Sequence, residues 1–187
     1  MEQSVFPSQQ TPESFNRFAI PVRWGIIWGI LSCIITTVQH MFFMDPYALY
    51  LGIYGLVFVL ALAMYCVAGI QQRKAMGGYI DFKSAFQAIF VVIIISSLIS
   101  TVYTFIYFKW IDADALNRLQ EQTLNSMEKW GAPEASIEDA AAEFEKSKDG
   151  QGVGDYILNF AKGLIFSSIL GFICAAIVKK KKPEFGV

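Results

Sequence analysis

Four stretches of 21 to 24 residues, 24–44, 47–70, 85–108 and 156–178, hold one formally charged side chain between them, Lys162. The hydrocarbon core of a bilayer is ~30 Å thick and takes ~20 mostly apolar residues in helical form. A buried helix of a soluble protein would be shorter or clearly amphipathic. The pattern therefore predicts an all-α polytopic membrane protein with four transmembrane helices. Composition agrees: 55% of residues are hydrophobic and 17% charged, against ~45–50% and ~25% in soluble domains, and mean hydropathy is +0.44. A net charge of −1 gives no electrostatic warrant for nucleic-acid binding. Cys33, Cys66 and Cys174 all lie inside the apolar runs, so no disulfide framework is expected.

The first run follows a polar leader of about two dozen residues and ends in the bulky Met41-Phe42-Phe43-Met44. With no small-residue cleavage site, it reads as a retained helix rather than a secretory signal. The expected layout is an N-terminal arm (1–23), a membrane domain (24–178) that includes an acidic segment at 109–155, and a basic tail (179–187). Arm, second connection and tail together carry nine bases and four acids; the other side carries six bases and twelve acids. Excess Lys and Arg mark the cytoplasmic side. Both termini are thus expected in the cytoplasm, with 109–155 outside, in the inner membrane of a bacterium. Trp and Tyr favour interfaces. Trp24, Trp28, Tyr65 and Tyr79 are assigned to the inner level, and Tyr47, Tyr50, Tyr107, Trp110 and Tyr156 to the outer.

Inside lipid, helices associate through close packing and interhelical hydrogen bonds, and small residues four apart mark the faces. Gly25 with Gly29, then Ser96, Ser100 and Thr104, then Gly163, Ser167, Gly171 and Ala175 form three such ladders. Packing within one bundle is the expected use, and a homo-oligomer face is the alternative. Asp45-Pro46 makes a tight turn between the first two spans. Ser84 with Gln87 suits a capping box at the start of the third.

The 47 residues 109–155 separate the last two spans, too long for a structureless loop. Leu116, Leu119, Thr123, Met127 and Trp130 recur at helical steps, predicting an amphipathic helix that ends before Gly131. A second helix opens at Pro133 or Ser136, with Ile137, Ala140, Ala141 and Phe144 along one face. The glycine-rich return, 148–154, lacks the alternating oxygen ligands and final Glu of a calcium loop.

The run Gly77-Gly78-Tyr79-Ile80-Asp81-Phe82-Lys83-Ser84-Ala85-Phe86 leads into an Ile/Val/Ser-rich span. With Arg23-Trp24-Gly25, Ile111-Asp112, the acidic outer segment and the final Lys run, it resembles the bacterial membrane family called domain of unknown function 4199. The resemblance spans roughly 22–182. It implies a four-span membrane unit and supplies no catalytic residues. The family often has Asp-Pro, a helix break, where this chain has Asp112-Ala113.

Ionisable groups within a span are functional candidates by default. His40, the sole histidine, sits near the outer end of the first span, beside Gln39 and five residues before Asp45. The bland reading, an interfacial imidazole bonded to a neighbour, is preferred to a proton relay. Lys162 lies ~9 Å into the fourth span and can snorkel outward, paired with Asp112 or Asp45; Asn159 shares its face. Ser96, Ser97 and Ser100 have no evident activating base, and neither a metal set nor a cofactor motif is present. No cofactor is expected. Lys179, Lys180, Lys181 and Lys182 are expected to lie on lipid headgroups.

The expected function is therefore that of a non-enzymatic accessory or interaction protein. It presents an acidic helical segment on the outer side to a membrane or periplasmic partner. The alternative is a small transporter or channel subunit acting as an oligomer. Against the alternative, the second span holds Gly52 and Gly55 but no polar midplane cluster, which transporters usually show.

Overall fold

The computed structural model describes residues 18–42, 47–149 and 153–181; Asp45-Pro46, Lys182 and the middle of the glycine-rich return lie outside them. Six α-helices run in the order α1 (Ala19–Phe42), α2 (Tyr47–Ala75), α3 (Phe82–Ile106), α4 (Ala115–Lys129), α5 (Glu134–Asp149) and α6 (Val153–Val178). A π-turn, Tyr107–Ile111, continues α3. The helices α1, α2, α3 with its π-turn, and α6 are long and apolar enough to cross a membrane. The fold is thus an all-α membrane-protein architecture with a helical pair, α4 and α5, between the third and fourth spans.

α3 lies at the centre and touches α1, α2 and α6. The closest approach is to α1, which runs parallel to it. A Cβ built on Gly25 would lie 2.8 Å from Ile95 Cβ, and one on Gly29 would lie 2.9 Å from Ile99 Cβ. Only glycine admits backbones this close, and in lipid such contact replaces the hydrophobic effect as the source of association. Hydrogen bonds extend the same seam: Ser32 pairs with Ser100 at 2.6 Å, and Thr37 with the Tyr103 hydroxyl.

The tight core occupies the half of the bundle where α3 begins. Ile89, Val92 and Ile93 interlock there with Ala68 of α2 and with Cys174, Ala175 and Val178 of α6, all nearly or fully buried. A Cβ built on Gly171 would lie 3.0 Å from Ile93 Cδ1 across this contact. Phe86 and Phe172 stack beside it with centroids 4.2 Å apart.

At the basic end the chain is tied together by backbone. α2 stops in a Schellman motif: Gly78 N–H donates to Arg73 O and Gly77 N–H to Lys74 O. Both glycines have positive φ, 82° and 89°, which other residues resist. Ile80 then pairs with Lys180 in both directions, at 3.0 and 2.9 Å. Arg73 Nη1 donates to Val178 O at 2.9 Å, satisfying a carbonyl at the end of α6. Lys179, Lys180 and Lys181 are all exposed, and the Lys180 ammonium lies 5.6 Å from the Tyr79 ring centre.

The start of α3 also differs from the expected Ser84/Gln87 box. Asp81 is the N-cap, and its carboxylate accepts from Ser84 N–H at 3.1 Å. The helix thus begins three residues earlier than the box required, where Asp81 supplies a cap acceptor whose charge also answers the helix dipole. The Ser84 hydroxyl and backbone hold the Asp81 carboxyl below the usual carboxylate range. The cap is therefore present at neutral pH and is lost as pH falls through that lowered value. Asp81→Ala should destabilise the protein by about 1 kcal/mol, read as a lower thermal midpoint in detergent at pH 7.

Candidate functional site

Opposite the tight core, toward the acidic end, α3 and α6 separate. Gly25, Gly29 and Gly171 are buried against neighbours, but a Cβ on Gly163 would meet nothing within 4 Å. The expected four-member ladder of α6 is therefore divided. Gly171 and Ala175 pack against α3, whereas Gly163 and Ser167 line a cleft of about 700 Å³. An i, i+4 spacing places residues on one face, but straight helices that cross at an angle touch over only part of their length.

The floor of the cleft takes one polar side chain from each spanning helix: Trp28 of α1, Tyr65 of α2, Ser96 of α3 and Ser167 of α6. Trp28 and Tyr65 are each only 5% exposed, and the Ser96, Ser167 and Trp28 side chains surround the Tyr65 phenol. This corrects two expectations. Trp28 and Tyr65 are not inner-interface residues, because α1 begins at Ala19 and α2 runs on to Ala75, which moves both toward mid-span. A polar midplane cluster does exist, assembled from four helices with no more than one member on each.

The walls rise along α3 through Ser97, Ser100, Thr101 and Thr104, and along α6 through Gly163, Lys162 and Asn159. Ser96 Oγ donates to Val92 O at 2.8 Å, and Ser100 is held by Ser32. Among the described residues, the side chains of Ser97, Thr101, Thr104, Asn159 and Lys162 have no hydrogen-bond or ion-pair partner. A lysine within a span costs ~2.5–3.5 kcal/mol at the bilayer centre. Five polar groups left open toward one space mark a wet or ligand-holding cleft rather than a packing seam.

Lys162 does not pair with Asp112. Arg118 Nη2 reaches Asp112 Oδ2 at 2.5 Å, and the Arg118 guanidinium holds the Asp112 carboxyl below its usual range. The π-turn explains the difference. Its bond from Asp112 N–H to Tyr107 O, at 2.8 Å, ends the third span, and α4 starts three residues later. Asp112 is thus delivered to the first turn of α4, where Arg118 waits. The break falls at Asp112 without a proline.

The π-turn also buries Tyr107, which was expected at the outer interface and is 0% exposed. It packs with Ala115 and Leu119, and its hydroxyl donates to Asp112 at 3.4 Å. His40 lies against it, 5% exposed, with ring centroids 5.5 Å from Tyr107 and 5.4 Å from Phe108. His40 Nδ1 lies 2.8 Å from Thr36 O. His40 therefore belongs to the joint between the spans and α4.

Over the cleft mouth, Leu116 of α4, Glu143 and Lys146 of α5, and Asp155 of α6 complete the lining. α4 ends in a second Schellman motif at Gly131, φ 74°, and Gln120 donates to Glu145 at 3.4 Å to hold α5 against it. Among the described residues, no three His, Cys, Asp or Glu side chains converge as a metal set. Of the cleft residues, Trp28 and Tyr65 were expected at the inner interface and Thr101 was not singled out from the sequence, its one signal being the clustering of hydroxyls at 96, 97, 100, 101 and 104.

A family model described as "Protein of unknown function (DUF4199)" matches residues 23–180. No curated protein and no solved structure matches the chain.

Proposed function

Because the chain belongs to the DUF4199 family, whose description names no activity, we propose a function from its geometry: a non-enzymatic accessory protein of the bacterial inner membrane. Both termini lie in the cytoplasm, and the α4–α5 hairpin is presented on the outer side to a membrane or periplasmic protein. The observation that carries this reading is the joint formed by Tyr107, Ala115 and Leu119. It fixes an acidic helical pair directly on the bundle instead of leaving it on a flexible loop. The turn of that pair displays Trp130, 62% exposed, and aromatic side chains are favoured anchors at protein interfaces.

The charge division gives the orientation. Arg73, Lys74, Lys83, Lys179, Lys180 and Lys181 gather at the end joined by the Ile80–Lys180 pair, and such excess marks the cytoplasmic side. A non-enzymatic role is supported by the serines. Ser96 is bonded to its own helix, and the one imidazole is bonded to Thr36 O in the outer joint. An accessory role is favoured over conduction because the cleft is blind. Below its floor, Ile89, Ile93, Cys174 and Val178 are packed with almost no exposure.

Cysteine labelling tests the orientation. Glu128→Cys and Glu143→Cys should react with a membrane-impermeant maleimide in cells whose inner membrane is intact. The native cysteines are buried or half-buried, which keeps background low. Labelling only after permeabilisation would overturn the topology and with it the outer presentation. Photo-crosslinking from position 130 then reads out the partner. Solute flux in liposomes without a captured partner would favour the transporter alternative.

A further inference from the structure

We propose that the cleft binds a zwitterionic head group, an anionic phosphate joined by a short linker to an ammonium. The phosphate sits on Lys162, and the ammonium faces the mouth. The inference goes beyond the accessory role and does not depend on which face of the membrane the hairpin occupies.

Three observations carry it. Lys162 is a cation on a cleft wall with no acceptor among the described residues, so an anion arriving there meets an uncommitted charge. An ammonium on a flexible stem is a common partner for phosphate. Next, the unpaired hydroxyls of Ser97, Thr101 and Thr104 line the wall opposite, on α3. They can donate to phosphate and ester oxygens, and the cleft volume of about 700 Å³ exceeds what a few waters need. Last, the rim is not uniformly basic. Glu143 and Asp155 stand there with Lys146. A purely anionic ligand would be repelled by those carboxylates, whereas an ammonium beside the phosphate answers them. Asp155 lies seven residues before Lys162, two turns toward the mouth and ~10 Å along the helix. Negative charge is therefore outermost and the lysine deeper, matching a ligand that enters phosphate first.

Such a group reaches the cleft either on a membrane phospholipid or on a free solute. Purified full-length protein in detergent would be titrated with dihexanoyl-phosphatidylethanolamine, with chainless glycerophosphoethanolamine, and with dihexanoyl-phosphatidylglycerol, which lacks the ammonium. Binding is followed by native mass spectrometry. The ethanolamine lipid should bind, and Lys162→Gln should weaken it about tenfold, the loss expected for one charge-assisted hydrogen bond. Lys129→Gln on α4 should have no effect. Equal binding of the chainless compound identifies a free solute as the source; binding of the lipid alone identifies the bilayer.

Gly163→Leu fills the cleft where a Cβ meets no neighbour, so it should keep its thermal midpoint and lose binding. Thr104→Val, which removes an unpaired hydroxyl at constant shape, should also fold and bind more weakly. Three results would overturn the proposal: no binding by either ethanolamine compound, equal binding of phosphatidylglycerol, or an unchanged affinity in Lys162→Gln. None of them touches the labelling result on which the outer presentation of the hairpin stands.

Discussion

Gly29→Leu should be the most damaging of the three glycine-to-leucine changes at positions 29, 171 and 163. A Cβ at position 29 would stand 2.8 to 3.1 Å from three atoms of the Ile99 side chain, among them its Cβ. The Cβ is fixed to the α3 backbone and cannot rotate away, so the two helices must part. Overpacking costs typically 1–3 kcal/mol. Separation of α1 from α3 also threatens the Ser32–Ser100 and Thr37–Tyr103 bonds, so the effect should reach about 3 kcal/mol. Gly171→Leu should cost less, because its nearest obstacle is Ile93 Cδ1 at 3.0 Å, the end of a flexible side chain. Gly163→Leu should be nearly neutral. Thermal unfolding of the three variants in one detergent gives the order directly. A midpoint for Gly163→Leu as low as that for Gly29→Leu would mean that the α3–α6 cleft is closed in the folded protein.

The second large effect is expected at Tyr107. The side chain is fully buried beneath α4, and it touches both His40 and the start of the hairpin. Tyr107→Ala leaves a cavity at this joint, and removal of a buried aromatic costs about 3–5 kcal/mol. Tyr107→Phe removes only a hydroxyl whose bond to Asp112 is long, 3.4 Å, and should cost under about 1 kcal/mol. The hairpin should feel the alanine variant first. Limited proteolysis between α4 and α5 should speed up before the spanning helices unfold. Equal proteolysis of wild type and Tyr107→Ala would show that the hairpin is held by something other than this joint.

The spanning helices were legible because lipid imposes one requirement, a long uncharged run, and position within the run hardly matters. Helix ends were less legible. Lipid does not penalise a helix that continues past the membrane, so α1 starts before Trp24 and α2 continues through Arg73 and Lys74. That freedom misplaced Trp28 and Tyr65 by about one and a half turns. Gly131 and Pro133 announced the hairpin turn, because a left-handed C-cap and a proline after it are local chemistry. The cleft was only half visible. Asn159, Lys162 and the hydroxyls of α3 stood out singly, but nothing in one sequence says that α6 leaves α3 above Gly171. The π-turn was hidden too, since an extra residue in a helical turn leaves no compositional trace.

The backbone pair between Ile80 and Lys180 has a consequence for biogenesis. Lys180 follows the last of the four spans in chain order, so this clasp can close only after α6 has entered the bilayer. Until then α1, α2 and α3 form an unfinished assembly. The face of α3 that α6 covers at Ile89 and Ile93 is open to lipid, and the connection after Gly78 lacks its partner. Closing the clasp joins the middle of the chain to a residue a hundred positions later and signals that every span is present. A chain interrupted within α6 would keep its first three helices in the membrane and lack this latch. Such a chain should be distinguishable from the finished protein by the accessibility of Tyr79 and Ile80 to protease at the basic end.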